Sequence, residues 1–280
     1  QSLGIGVSVG PQPLFPYEEG EGELMFFQSL DGNPITNKYK TGGPHNFRDG
    51  NSQIGNCQLE IYPMKPGPGM FISEYLEKKG SGINHIAFNT DDIERDTKFF
   101  NEKGCQLVFN VSVNGKTIEN YLDTRKYGDV MISLRPTSSA WENKWKENNL
   151  NHPQINNWNF LGVGIPIKDL KNTSDYYLDL GFSEIPNPKN INYPNLQSNQ
   201  VKVGPIIFEF FEPSESHPIH NEILMERGEG ISDLVFLVDD LEAEKIKLLN
   251  RGTSLLDSNE TFAIFDTRKE GNTLIRLVSK

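Results

Sequence analysis

Two cysteines, Cys57 and Cys105, are all that this chain of 280 residues contains. That is too few for a disulfide framework, so a small cross-linked secreted scaffold is excluded and a reduced, cytoplasmic setting is the expectation. Histidine is also scarce, with five in the chain, which leaves few places for a metal or proton-transfer centre. Positive charge is short: 27 Lys and Arg stand against 38 Asp and Glu, a formal net charge of −11. Phosphate recognition needs clustered Lys and Arg, and none is evident, so no nucleic-acid partner is expected. The same balance disfavours anionic membrane surfaces. Long apolar runs are missing as well; "PIIFEFF" is far too short to cross a bilayer. The opening "QSLGIGVSVG" lacks a basic segment followed by an apolar one, so no signal peptide is read there. A start on Gln rather than Met suggests that residues precede it.

What is present suffices for packed cores: 36% of residues are apolar and 10% aromatic. The length suits two compact domains.

Repetition sets the organisation. "GINHIAFNTDDIERDTKFFNEKG" (Gly82 to Gly104) returns as "GISDLVFLVDDLEAEKIKLLNRG" (Gly230 to Gly252) at a constant offset of 148. Asp233 then stands where His85 stood. Upstream, "YLEKKGSG" falls on "ILMERGEG" at the same offset. Downstream, "YLDTRKYGDVMISL" falls on "IFDTRKEGNTLIRL" at an offset of 143. "LGVGIPIKDLKNTSDYYLDLGFSEI" is a third copy. Gly162 precedes Asp169 by seven residues and Gly181 by nineteen, the spacings that His85 and Asp233 show to their own Asp and Gly.

Each copy reads as βαβββ. "INHIAFNT" is a β-rich strand. The Asp pair supplies an N-cap and carboxylates suited to a helix N-terminus. "IERDTKFFNEKG" has helical apolar spacing and closes on a Gly that can take positive φ. "CQLVFN", "TIENYLDT" and "VMISLRP" are short strands. A fourth copy begins the chain, with Gly4 matched to Gly181, so that its first strand and most of its helix lie upstream and Gly4 onward is its second strand. "KYKTGGPHNFRDGNSQIGN" reads as a long loop and "CQLEIYP" as a closing strand parallel in pattern to "IFEFFEP". The expected fold class is therefore α/β (α+β): four βαβββ modules, the first incomplete, paired into two curled-sheet domains at 1–136 and 158–280. A polar, Asn-rich linker spans 137–157.

Paired βαβββ units carrying "GINHIAFNTDD", "LEIYP" and "YLDTRKYGDVMISL" resemble the vicinal oxygen chelate superfamily, in its glyoxalase and methylmalonyl-CoA epimerase branch. The resemblance covers nearly the whole chain and implies a divalent metal in each cleft, held by one residue from each of four strands. Carried over position by position, the first-strand ligand of the N-terminal half is absent. The fourth strand offers Glu60, with Gln58 facing the same way by alternation. The fifth offers His85, and the eighth offers Ser133 where a carboxylate is usual. The C-terminal half offers Gly162, Glu209, Asp233 and Arg276. A guanidinium does not face a divalent cation, so no metal is expected there; Arg276 suits an ion pair with Asp233 or Glu209, or the grip of an anionic ligand. Extradiol dioxygenases, which need two His and a Glu in that half, are excluded.

The resemblance implies an enzyme acting on a small carbonyl or acyl substrate in the N-terminal cleft, by a lyase or isomerase step through an enolate. His85 and Glu60 would hold a single divalent metal (Zn, Mn, Ni, Co or Fe) or move a proton, with Ser133, Gln58, Glu209, Asp233 and Arg276 as candidate substrate contacts. The alternatives left open are a metal-free small-molecule binder and a metal-independent biosynthetic enzyme; equally, His85 could be an inherited strand residue hydrogen-bonded inside the cleft. A monomer or homodimer is expected. "SHPIHNE", with His217 and His220, reads as a loop, and His45 and His152 as solvated. The repeated "DTRK" reads as turn chemistry, and "TGG" and "MKPGPGM" lack phosphate-loop spacing.

Overall fold

The computed structural model describes residues 4–9, 20–22, 26–28, 34–36, 39–41, 50–54, 57–62, 71–113, 115–137, 158–185 and 196–280. Up to residue 73 it gives side chains for Ile54 and Cys57 alone, and at 113 and 270 the backbone alone. The expected linker at 137–157, apart from its first residue, His45 and His152, "TGG" and "MKPGPGM" lie outside the described residues.

The N-terminal strands are β1 (Gly4–Val9), β2 (Gly20–Gly22), β3 (Phe26–Gln28), β4 (Pro34–Thr36), β5 (Tyr39–Thr41), β6 (Gly50–Ile54) and β7 (Cys57–Tyr62). Then come α1 (Phe71–Lys79), β8 (Gly82–Thr90), α2 (Ile93–Glu102), β9 (Leu107–Val113), β10 (Lys116–Leu122) and β11 (Met131–Pro136). The C-terminal elements are β12 (Trp158–Pro166), α3 (Leu170–Asp179), β13 (Ser183–Glu184), β14 (Ser198–Val203), β15 (Ile206–Phe211), α4 (Pro218–Arg227), β16 (Asp233–Val238), α5 (Leu241–Asn250), β17 (Ser254–Ser258), β18 (Phe262–Asp266), α6 (Arg268–Gly271) and β19 (Leu274–Ser279).

Two large sheets result, ordered β6-β7-β1-β8-β11-β10-β9 and β13-β14-β15-β12-β16-β19-β18-β17. Within each complete module the first strand pairs the fourth in parallel, and the third and second follow outward. The repeat governs the local chemistry too. Asp92, Asp169 and Asp240 each accept from a backbone N–H three residues on, satisfying a helix-end donor that has no partner within the helix. Gly104, Gly181 and Gly252 close those helices at φ of 89°, 93° and 85°, a region where a side chain is strained.

One placement differs from the sequence reading. Gly4–Val9 does not take the edge place that β13 has in its own module. It fills the central slot between β7 and β8 that β12 fills in the other half, running the opposite way: parallel to β8 and antiparallel to β7. Two facing strand edges need their backbone groups paired, and an inserted strand can do this in either direction. The stretch read as a long loop also contains two strands, β5 and β6.

The largest buried apolar cluster joins both halves, with Phe88, Phe100, Ile132 and Leu134 from one and Tyr177, Phe208, Phe210 and Ile165 from the other. Phe100 meets Phe182 with ring centroids 6.1 Å apart, and Tyr127 meets Tyr176 at 5.5 Å. Fully burying a ring such as that of Phe100 contributes about 1.5–3 kcal/mol. Glu229 ties the halves further, accepting from the backbone N–H of Gly128 and of Lys168, both at 2.9 Å. The opposite sheet faces carry separate clusters. Leu76 of α1 packs on Phe109, Tyr121 and Met131, whereas Ile219 and Ile223 of α4 pack on Phe211, Phe262, Ile264 and Leu274. Cys57 and Cys105 form no disulfide and are buried, and burial pushes both thiols up.

Candidate functional site

Strand register brings the sequence candidates into two equivalent rows. In the C-terminal sheet Gly164 of β12 stands between Glu209 of β15 and Asp233 of β16. In the N-terminal sheet Gly6 of β1 stands between Glu60 of β7 and His85 of β8. Gln58 lies one row on, with Ser8 and Ala87. Glu60 and Gln58 are thus located by backbone register; their side chains are outside the described set.

His85 is buried, 1% exposed, with its ring against that of Tyr121 at 5.0 Å in an edge contact. The β1–β8 register slips between Ile5 and Gly6, pairing them with Ile83 and His85 and skipping Asn84. Such a bulge turns an extra side chain beside its neighbour. Asn84 Oδ1 there contacts His85 Nδ1. A carbonyl oxygen only accepts, so Nδ1 is the donor in this contact, and Nε2 is the other ring nitrogen.

Ser133 is on the same strand face but a row away, paired with Ala87 while Met131 pairs with His85. Its hydroxyl donates to Glu119 Oε1 at 2.6 Å, and Glu119 in turn pairs with Arg135 at 2.8 Å. Ser133 therefore belongs to a buried Ser–Glu–Arg chain farther along the strands.

In the C-terminal half the charges face one another. Arg276 pairs with Glu209, their side chains 2% and 1% exposed. Asp233 accepts from His220 Nε2 at 3.0 Å. Burial pushes the Asp233 carboxyl up, but His220, Arg276 and Ser232 outweigh it, and the group is held below its usual value. Gly164 makes the room: a Cβ there would sit 2.3 Å from Asp233 Oδ2. The glycine beside the two acids is thus Gly164, not Gly162. Gly162 serves backbone approach, since its Cβ would meet the Ile207 carbonyl oxygen at 1.9 Å. His220 corrects the loop reading of "SHPIHNE". Pro218 opens α4, His217 is its N-cap position, and His220 is carried inward to Asp233.

Neither row fits the divalent metal that the fold family implies. In the C-terminal half Glu209 is neutralised by a guanidinium and Asp233 is engaged by His220. In the N-terminal half the described strands bring two donor residues, Glu60 and His85, into one row, with Ser133 a row away, where zinc sites use at least three protein ligands. Among the described residues no three His, Cys, Asp or Glu side chains come together.

Sequence reasoning missed Asn84, Glu119, Arg135 and His220. A proline at the first turn of "PIHNEILMER" is a helix-start signal that could have found His220. No pattern announces the bulge at Asn84 or the Ser133–Glu119 pairing.

The module order, the parallel pairing of first and fourth strands within each complete module and the curled sheets define the vicinal oxygen chelate fold. No protein-family model matches the chain and no curated protein matches it. Among solved structures, a mutant of 4-hydroxymandelate synthase from Streptomyces coelicolor is similar with a TM-score of 0.57 at 15% identity, covering 81% of this chain and 79% of that one. Methylmalonyl-CoA epimerase from Mycobacterium tuberculosis is 25% identical over 43% of this chain and 86% of that one, with a TM-score of 0.35. Among the described residues no helix is long and apolar enough to cross a membrane.

Proposed function

We propose that the chain is an enzyme of the glyoxalase and epimerase kind that acts on a small carbonyl or acyl substrate in its N-terminal half, in a lyase or isomerase step through an enolate. The observation that carries this reading is the row Glu60–Gly6–His85, with His85 buried and its Nδ1 proton fixed by Asn84. His85 Nε2 takes a proton from the carbon next to the carbonyl, the electron pair moves onto the carbonyl oxygen, and the proton returns to carbon. Glu60, in the same row, is the second proton-moving group. Because the donor set does not fit a metal, no step runs through one. The C-terminal half, with Glu209, Asp233 and Arg276 turned on one another, is a folding partner, and 1–136 and 158–280 form the two tandem domains.

The test is deuterium exchange from solvent into a panel of acyl thioesters and α-keto acids, followed by mass spectrometry. General acid–base catalysis contributes about 10²–10⁴-fold, so His85→Ala loses exchange by about 100-fold or more. A second reading, a metal-free small-molecule binder, is favoured by Ser133 at the eighth-strand position, tied up by Glu119. Under it, ligands from the panel bind but none exchanges.

A further inference from the structure

We infer that Asn84 is a working residue of the N-terminal site with two jobs: its Oδ1 sets the tautomer of His85, and its Nδ2 donates a hydrogen bond to the carbonyl or enolate oxygen of the ligand. The second job rests on the enolate reading above; the first does not. Three observations carry the inference. Asn84 is 3% exposed, and its Nδ2 is a buried donor with no hydrogen-bond partner among the described residues. An unmade bond of this kind costs free energy, and native structures keep few of them without a use. The residue sits at the skipped position of a β-bulge, a feature that re-aims side chains and concentrates near active sites. The repeat supplies the contrast. Ser232, at the equivalent position, donates from its backbone N–H and its hydroxyl to the Gly164 carbonyl, at 3.0 and 3.3 Å. There is no orphan donor at Ser232, and the residue beside it is Asp233 rather than a histidine.

The two polar atoms of one amide share a carbon. With Oδ1 held by the imidazole, an acceptor on Nδ2 is necessarily close to His85. As Nε2 removes a proton from carbon, negative charge develops on the neighbouring oxygen, and a donor already aimed at that oxygen stabilises the charge without reorganising. The ligand class follows: a planar carbonyl compound whose oxygen accepts from a neutral amide, and whose acidic carbon lies beside it.

Two substitutions separate the jobs. Asn84→Asp keeps an oxygen for Nδ1–H and removes the Nδ2 donor; Asn84→Ala removes both. The ¹⁵N signals of the His85 ring report the tautomer, and the nitronate of nitroethane, a planar anion with enolate-like oxygens, serves as the binding probe. The expected pattern is an Nδ1–H ring in wild type and Asn84→Asp, a mixed tautomer in Asn84→Ala, and nitronate affinity weakened about tenfold or more in both variants. Wild-type binding is expected to move the Asn84 side-chain amide signals. A ring tautomer unchanged in Asn84→Ala overturns the positioning role. No nitronate binding to wild type, or equal binding by all three proteins, overturns the donor role. If exchange survives His85→Ala while the tautomer pattern holds, the proposed function falls and the positioning role stands. If exchange is lost in His85→Ala but kept in Asn84→Asp, the function stands and the donor role falls.

Discussion

The two halves place an acid, a glycine and a second polar residue in the same sheet row, and surround them with different residues. In the C-terminal row Arg276 and His220 answer Glu209 and Asp233, so two carboxylates meet two basic groups in a space closed by α4. In the N-terminal half the eighth-strand position is Ser133, which turns to Glu119. The repeat equivalent of His220 is Ile72, at the offset of 148. The row around His85 thus receives neither of the basic groups that close its counterpart. The two rows differ in the pair of residues brought in from the eighth strand and from the helix before the fifth.

The strongest way to break this comparison is to remove the guanidinium. Arg276→Ala leaves Glu209 charged and buried, and breaking a buried pair costs about 3–5 kcal/mol; denaturant unfolding should show a loss of that size. The corresponding N-terminal change, Ser133→Ala, removes one hydrogen bond while Arg135 still holds Glu119, and costs about 1 kcal/mol. Equal losses would contradict the assignment of the closed state to the C-terminal half.

Next in size is Gly164→Ala. Its Cβ would press on Asp233, whose Oδ2, Cγ and Cβ lie at 2.3, 3.0 and 3.1 Å, and overpacking of this kind costs about 1–3 kcal/mol. Thermal unfolding measures it, and a neutral result would mean that Asp233 can move away freely.

A pH series sharpens the comparison further. The folded Asp233 carboxyl is held below its usual value of 3.8. Its contribution is therefore full above that value and is lost as pH falls through the lower, folded value. The stability gap between wild type and Asp233→Asn should narrow from about pH 5 to about pH 3. A gap that widens on acidification would reverse the sign of the His220 and Arg276 effects. The smallest effect belongs to the repeated turns. Arg268 pairs with Asp266 at 2.7 Å, and Arg125 with Asp123 at 2.8 Å, in half-exposed positions. Arg268→Ala and Arg125→Ala should each cost about 0.2–1 kcal/mol, alike in both halves.

The fold was legible because its signals are local. Three Asp caps and three positive-φ glycines recur at fixed spacings and survive as read, as do the strands before them, although these are buried on both faces. The rows were legible in part, since strand alternation leaves a choice between Gln58 and Glu60 that only register resolves: Glu60 shares His85's row. What stayed hidden depends on neighbours distant in sequence. The Asn84 bulge is a property of β1 lying against β8. The partner of Asp233 comes from α4 and not from β19, where Arg276 had been expected to serve either acid. The path of Gly4–Val9 follows from which strand edges need pairing, which periodicity does not encode.

The central claim is that chemistry resides in the N-terminal row and not in its C-terminal counterpart. Solvent-deuterium exchange by His85→Ala, beside a Glu209→Gln/Arg276→Met double variant that neutralises the C-terminal pair, tests it most directly. The account predicts exchange lost by about 100-fold or more in the first protein and retained in the second. Exchange that survives His85→Ala and disappears in the double variant would contradict it.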